Sequence, residues 1–224
     1  MLFSIWMWIA HAASPVVAMG DGLVVAPPSA EVAVPASLGW VPVLADCLEE
    51  RSPGNFQMID RVVPGETVQT ALARVTTVLD LSPSVVIVGL GARELGVQTP
   101  DPGAFERGIL ILLEGLLPPD ASGRVVVLLG VVPSRSAAEN REDASAVEAW
   151  NGRLARLARA RSSVHFVDLW SGWPQAGQRL PVLHAADHEL SPAGHAQVAS
   201  QVCEVVLGLS PEAKETRSTA TVPE

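Results

Sequence analysis

Apolar and polar positions along the chain follow two alternating rhythms. Short apolar runs recur at 16–19 (VVAM), 84–88 (SVVIV) and 125–129 (VVVLL), and 56–63 and 164–169 are further strand candidates with polar residues among the apolar ones. Runs of this kind read as strands buried on both faces, as in a parallel sheet. Between them the apolar residues fall at helical spacing. From Trp40 they are Val43, Leu44, Cys47 and Leu48, closed by Pro53-Gly54; after Pro64-Gly65 a helix opening at Glu66-Thr67 carries Val68, Leu72, Val75 and Leu79 on one face. Residues 105–117 and 146–161 are further helices, with 134–143 read as a polar loop. A last helix starts at Ser191-Pro192 and carries Val198, Val202, Cys203 and Val206. Serine at the cap with proline at the first helical position is a strong start signal. Strands alternating with helices predict a doubly wound α/β domain: a flavodoxin-like three-layer α/β/α sandwich on a mostly parallel sheet of about five strands. No internal repeat is visible. Residues 14–209 read as one domain, and 210–224, almost without large apolar residues, as a disordered tail.

Composition narrows this picture. Of 224 residues, 48% are hydrophobic and 17% charged, enough apolar surface for one sizeable core. A net charge of −9 argues against nucleic acid as a partner, because a polyanion rewards clustered lysine and arginine. The basic residues cluster once, at Arg153, Arg156, Arg159 and Arg161, where their spacing reads as a solvated helix face before it reads as a phosphate site. Residues 1–13 (MLFSIWMWIAHAA) read as a signal peptide: a short apolar run ends in a small-x-small pattern, although no basic residue precedes it. The run falls short of the roughly 20 apolar residues a span needs, so the mature chain is expected to have no transmembrane segment and to be exported, periplasmic or secreted. An even pair of cysteines, Cys47 and Cys203, then invites a disulfide, with two separate buried thiols as the alternative.

In open α/β sheets, sites lie beyond the carboxyl ends of the strands. The segments there are Gly20-Asp21-Gly22, Gly65-Glu66-Thr67, Gly91-Ala92-Arg93-Glu94, and the stretch leading into Leu190-Ser191-Pro192-Ala193-Gly194. Together, in this order, they resemble the blocks of the SGNH (GDSL-type) hydrolases, and the resemblance spans residues 16–206. It implies an ester hydrolase fold with a serine nucleophile, a glycine N–H and an asparagine as oxyanion donors, and an Asp-x-x-His pair before the last helix. Gly20 and Asp21 match the first block, but Gly22 stands at the serine position. Gly65 and Gly91 match the backbone glycines of the oxyanion region. Arg93 takes the asparagine position and Glu94 the following aspartate. In the last block Ala186 and Glu189 stand where aspartate and histidine belong, with Asp187 and His188 one place out of register.

A glycine cannot be acylated, and a base without an orienting partner is poorly placed to activate a nucleophile. The resemblance therefore implies a pseudo-esterase acting as a binding or structural subunit, whose ligand would be an acylated sugar or lipid or an exported protein partner. The alternative is an active ester hydrolase with a rewired site in which Asp21, His188 and Glu189 activate water. Asp21 reads first as a structural carboxylate bonding loop amides. Arg93 and Glu94 are candidates either for binding an anionic ligand or for ion pairs with Asp21 or Glu189. Trp170 and Trp173 are candidate groove-lining aromatics, whereas Trp40 and Trp150 read as core. His184, Asp187 and His188 cluster but fit no metal-ligand spacing, and His195 reads as a packing residue, so neither metal nor cofactor is expected. In a flavodoxin-like winding the first and last helices lie side by side, which places Cys47 and Cys203 within reach of each other.

Overall fold

The computed structural model describes residues 12–21, 23, 39–96, 100–119, 123–132, 134, 141–171, 184–186 and 189–209. Five strands, β1 (Ser14–Gly20), β2 (Phe56–Val62), β3 (Val85–Gly89), β4 (Val125–Leu129) and β5 (Val164–Val167), form one sheet in the order β2-β1-β3-β4-β5. Every neighbouring pair is parallel. All five residues of β3 are buried, and so are the last five of β1 and the last four of β4. That is the burial expected where helices cover both faces of a sheet. β2, at an edge, alternates between half-buried and exposed.

Helices α1 (Trp40–Arg51) and α7 (Pro192–Gly208) pack against each other on one face. A disulfide joins them between Cys47 and Cys203, with Cα atoms 6.4 Å apart, and one turn on the Arg51 and Glu204 side chains pair as well. The other helical layer holds α2 (Val68–Leu72), α3 (Val75–Leu79), α5 (Pro102–Leu116) and α6 (Arg141–Arg159), while α4 (Ala92–Leu95) is a single turn after β3. The result is the three-layer sandwich that the alternating pattern predicts.

Local chemistry accounts for the helix starts. The Asp101 carboxylate accepts from the amides of Gly103 and Ala104, with Pro102 leading α5. Ser191 accepts from Gly194 N at 3.1 Å, with Pro192 leading α7. Two elements differ from the sequence pattern. The helix expected to open at Glu66-Thr67 runs as two five-residue pieces, and Arg74 at the break extends its guanidinium to the Glu66 carboxylate and the Arg61 carbonyl. The helix expected at 146 begins at Arg141, inside the stretch read as a loop, since its polar residues Arg141, Glu142 and Asp143 carry helix well enough without an apolar face. A two-stranded antiparallel hairpin, β6 (His184–Ala186) with β7 (Glu189–Leu190), precedes α7. No helix among the described residues is long and apolar enough to cross a membrane. The 210–224 tail and residues 1–11 of the leader lie outside the described residues.

Candidate functional site

The chain order reverses between β1 and β3: β2 lies on one side of β1, and β3 and its successors on the other. A crevice opens beyond the carboxyl ends of such a pair. Here β1 is tied to both neighbours at its end: Asp21 N donates to the Gly89 carbonyl of β3 at 2.7 Å, and Val63 N, just after β2, donates to the Gly20 carbonyl at 2.8 Å. Glu66, only 3% exposed, completes the frame. One of its oxygens accepts from Gly20 N at 3.0 Å and the other from Arg74. A buried carboxylate is tolerable there because it is both paired and hydrogen-bonded. Nothing in the sequence separates Glu66 from an ordinary residue at a helix start, so its role emerges only from the fold.

Asp21, 7% exposed, lies in this frame beside Gly65 and Arg93. Its Oδ1 accepts from Gly65 N at 2.5 Å, and its Oδ2 lies 3.7 Å from Arg93 Nε. Arg93 lies flat over Gly65: a methyl group there would come 3.2 Å from Arg93 Nη2. Of the ion pairs the sequence allows, Arg93 with Asp21 is therefore formed.

Glu94, next in α4, accepts from Val68 N at 2.6 Å through Oε1, while its buried Oε2 has no partner. Desolvation by burial pushes the Glu94 carboxyl above the usual carboxylate range, and the neighbouring Asp21 charge adds to this; amides of Val68, Glu94 and Gly91 oppose it. A carboxyl whose pKa is higher folded than unfolded lends stability in full only below its unfolded value, and that contribution is lost as the pH rises through the folded value. Glu94→Gln keeps the carbonyl acceptor for Val68 N and removes the charge. Its urea midpoint relative to wild type is expected to rise between pH 4 and pH 8. A relative midpoint that falls over that range would show that the charged form is the one the fold favours.

Other candidates stand as follows. Gly22, Asp187, His188 and Trp173 lie outside the described residues. Ala186 pairs with Glu189 across the small hairpin, immediately before the Ser191 cap of α7. Trp170 is buried, its indole N–H donating to Glu148 at 3.4 Å. Trp40 and Trp150 are core, the latter stacked on Phe105 with ring centroids 4.5 Å apart. His195 is buried, which lowers its pKa and keeps the imidazole neutral. Asn151 is a second residue that sequence reasoning misses: its amide takes both Val131 N and the Val131 carbonyl, pinning the chain just after β4. No cluster of three or more metal-ligating side chains occurs among the described residues. The structure thus brings Asp21, Gly65, Arg93 and Glu94 together, a set that contains two carboxyl groups and a guanidinium but no hydroxyl or thiol.

Comparison with known proteins places this geometry in context. Residues 18–197 match the model of the GDSL-like Lipase/Acylhydrolase family. Among solved structures, LAE5, an alpha/beta hydrolase enzyme from the metagenome of Lake Arreo, Spain, superposes with a TM-score of 0.69 at 19% identity, over 90% of this chain and 99% of that one. The lipase/acylhydrolase from Enterococcus faecalis gives a TM-score of 0.69 at 16% identity, over 87% and 96%. An acetyl xylan esterase, AlAXEase, gives 0.66 at 17%, over 86% and 99%. At such identities the likeness is one of fold. No curated protein matches the chain closely enough to count as a relative.

Proposed function

Because this chain belongs to the GDSL-like lipase and acylhydrolase family, we propose that it is an exported pseudo-esterase, which binds a ligand in the crevice between β1 and β3 without hydrolysing it. One observation carries this reading. The side chains gathered beyond β1 and β3 among the described residues, Asp21, Arg93 and Glu94, include no hydroxyl or thiol that an ester could acylate, and the Arg93 guanidinium lies near the Asp21 carboxylate. Gly22 supplies no hydroxyl to attack, and Ala186 no carboxylate to orient a base at position 189. The backbone frame is retained while the groups for acyl transfer are replaced.

The ligand proposed is an acylated sugar or lipid, or an exported protein that presents one. The family match and an acetyl xylan esterase among the structural neighbours support the ester class. Export is supported by the apolar leader in residues 1–13 and by the Cys47–Cys203 disulfide, which an oxidising compartment preserves. A second reading, a hydrolase working through Asp21, His188, Glu189 and a water, is favoured by one observation. The Glu94 carboxyl, pushed above the usual carboxylate range by burial, lies beside the Asp21 carboxylate, and two carboxyl groups set apart by their surroundings are a pairing that hydrolases use.

Hydrolysis of p-nitrophenyl acetate and butyrate separates the two. The wild type is expected to stay at the buffer rate, and the combined Gly22→Ser, Arg93→Asn, Ala186→Asp, Glu189→His variant to exceed it about tenfold or more, well within the roughly hundredfold that one oxyanion donor is worth. Wild-type hydrolysis abolished by His188→Ala would instead establish the rewired enzyme.

A further inference from the structure

At the opposite end of the sheet from the Asp21 crevice, the last turn of α6 meets the start of β5. Among the described residues β5 pairs only with β4, so this corner lies at a sheet edge. A cavity of about 350 Å³ opens there. Arg159, Arg161 and His165 line it together with Ala155, Ala158 and Phe166. Among the described residues, no acidic side chain is in its walls. That is notable in a chain of net charge −9, where carboxylates outnumber guanidinium and ammonium groups. The four ion pairs among the described residues engage Arg51, Arg74, Arg93 and Arg153, and neither arginine of this cavity.

Helix electrostatics explains part of this arrangement. Cations in a last turn complement the unpaired carbonyls, and Arg161 Nη1 reaches the Leu157 carbonyl at 3.5 Å. The same effect accounts for Arg159 along the helix. It does not account for His165, which comes from the strand, or for an apolar wall facing the two guanidiniums. A guanidinium presents a planar fork of donors that matches carboxylate and phosphate oxygens.

We propose that this cavity binds a small organic anion, with a carboxylate or phosphate monoester held by Arg159, Arg161 and His165 and an apolar body lying against Ala155, Ala158 and Phe166. The site is separate from the β1–β3 crevice and does not depend on how that crevice functions. Phenyl phosphate and benzoate carry the two anionic groups on one apolar body, and phenol is their uncharged counterpart. Titrated into the full chain at low salt and followed by calorimetry and amide NMR shifts, one or both anions are expected to bind saturably, with shifts centred on residues 155–166. The tighter of the two identifies the preferred anionic group.

Arg159→Gln with Arg161→Gln is expected to weaken binding about tenfold or more with only a small drop in the thermal midpoint, since Arg159 is exposed and Arg161, half-buried, gives up one long hydrogen bond to the Leu157 carbonyl. Phenol is expected to bind at least tenfold more weakly than the anions. The proposal is overturned by the absence of saturable binding at 10-millimolar ligand (roughly the weakest affinity of interest), by equal affinity for phenol, by an unaffected double variant, or by shifts centred on Asp21, Gly65 and Arg93 instead.

Discussion

Gly20→Ala is expected to destabilise the protein by about 3 kcal/mol or more, among the larger losses a single methyl group can cause. Gly20 ends β1 at φ +113°, and a Cβ built on it would stand 1.9 Å from the Gly89 carbonyl oxygen. The obstacle is backbone, so no side-chain rotation relieves it. The backbone cannot easily retreat either. The Gly20 amide donates to buried Glu66, its carbonyl accepts from Val63 N, and the next amide donates to Gly89. Moving β1 away from β3 breaks those bonds in a region where water cannot replace them. Gly54→Ala makes the comparison informative. Gly54 has φ +71° but nothing within 4 Å of its would-be Cβ, so it should cost only the conformational penalty, about 1–2 kcal/mol. Urea unfolding of both variants gives the difference. A Gly20→Ala loss no greater than that of Gly54→Ala would show that the β1–β3 contact can open, and with it the frame that holds Asp21.

Much of this architecture is legible before the structure. Runs such as VVIVG in β3 and VVVLL in β4 have no amphipathic rhythm, and only a strand covered on both faces accommodates them. Ser191-Pro192 marks the start of α7 to the residue. The glycines at 20, 65 and 91, read from their order along the chain, mark the turns at one end of the sheet, and each has a positive φ. What stays hidden depends on partners distant in sequence. Glu66 and Asn151 look like ordinary helix residues, yet each satisfies backbone groups 46 and 20 positions away. The break between α2 and α3 has no glycine or proline to announce it, and the Arg74 side chain at the break meets Glu66. Residues 91–95 form a helical turn too short for any periodicity to reveal. At the site, a sequence can name Asp21, Arg93 and Glu94 as candidates. It cannot decide which of two carboxylates the arginine takes, because that choice is made by a few ångströms of strand register.

The position of these groups bears on how the Asp21 carboxylate is held. Asp21 and Gly65 both stand where the family pattern has them, so their mutual hydrogen bond owes nothing to replaced residues. Arg93 adds to that arrangement, its guanidinium beside Gly65 and its Nε near Asp21. Its positive charge offsets that of a buried carboxylate, which otherwise carries a desolvation cost of several kcal/mol. Restoring asparagine removes that charge. Arg93→Asn is therefore expected to be less stable than wild type, read as a lower urea midpoint.

The Cys47–Cys203 disulfide is expected to be the largest single contribution to stability, because it spans 156 positions and joins the first helix to the last. Closing a loop of that length restricts the unfolded chain by about 5 kcal/mol in chain-entropy models, with measured losses for native disulfides of about 2–5 kcal/mol. The native contacts do not depend on it. α1 and α7 also pack through buried Leu44 and Leu48 on one side and Val198, Val202 and Val206 on the other. The exposed Arg51–Glu204 pair beside the disulfide adds little, as surface ion pairs do. Cys47→Ala with Cys203→Ala should therefore fold to the same structure, with unchanged near-ultraviolet circular dichroism, and unfold at markedly lower urea. Wild-type protein treated with reductant should move to the same lower midpoint. A double variant within about 1 kcal/mol of wild type would mean that the unfolded chain keeps α1 and α7 close without the bond, so that the covalent link removes little freedom. The full loss would mean that the bond between α1 and α7 acts as the chain-entropy argument has it, by restricting the unfolded chain, so that the stability of the fold depends on conditions that keep it oxidised.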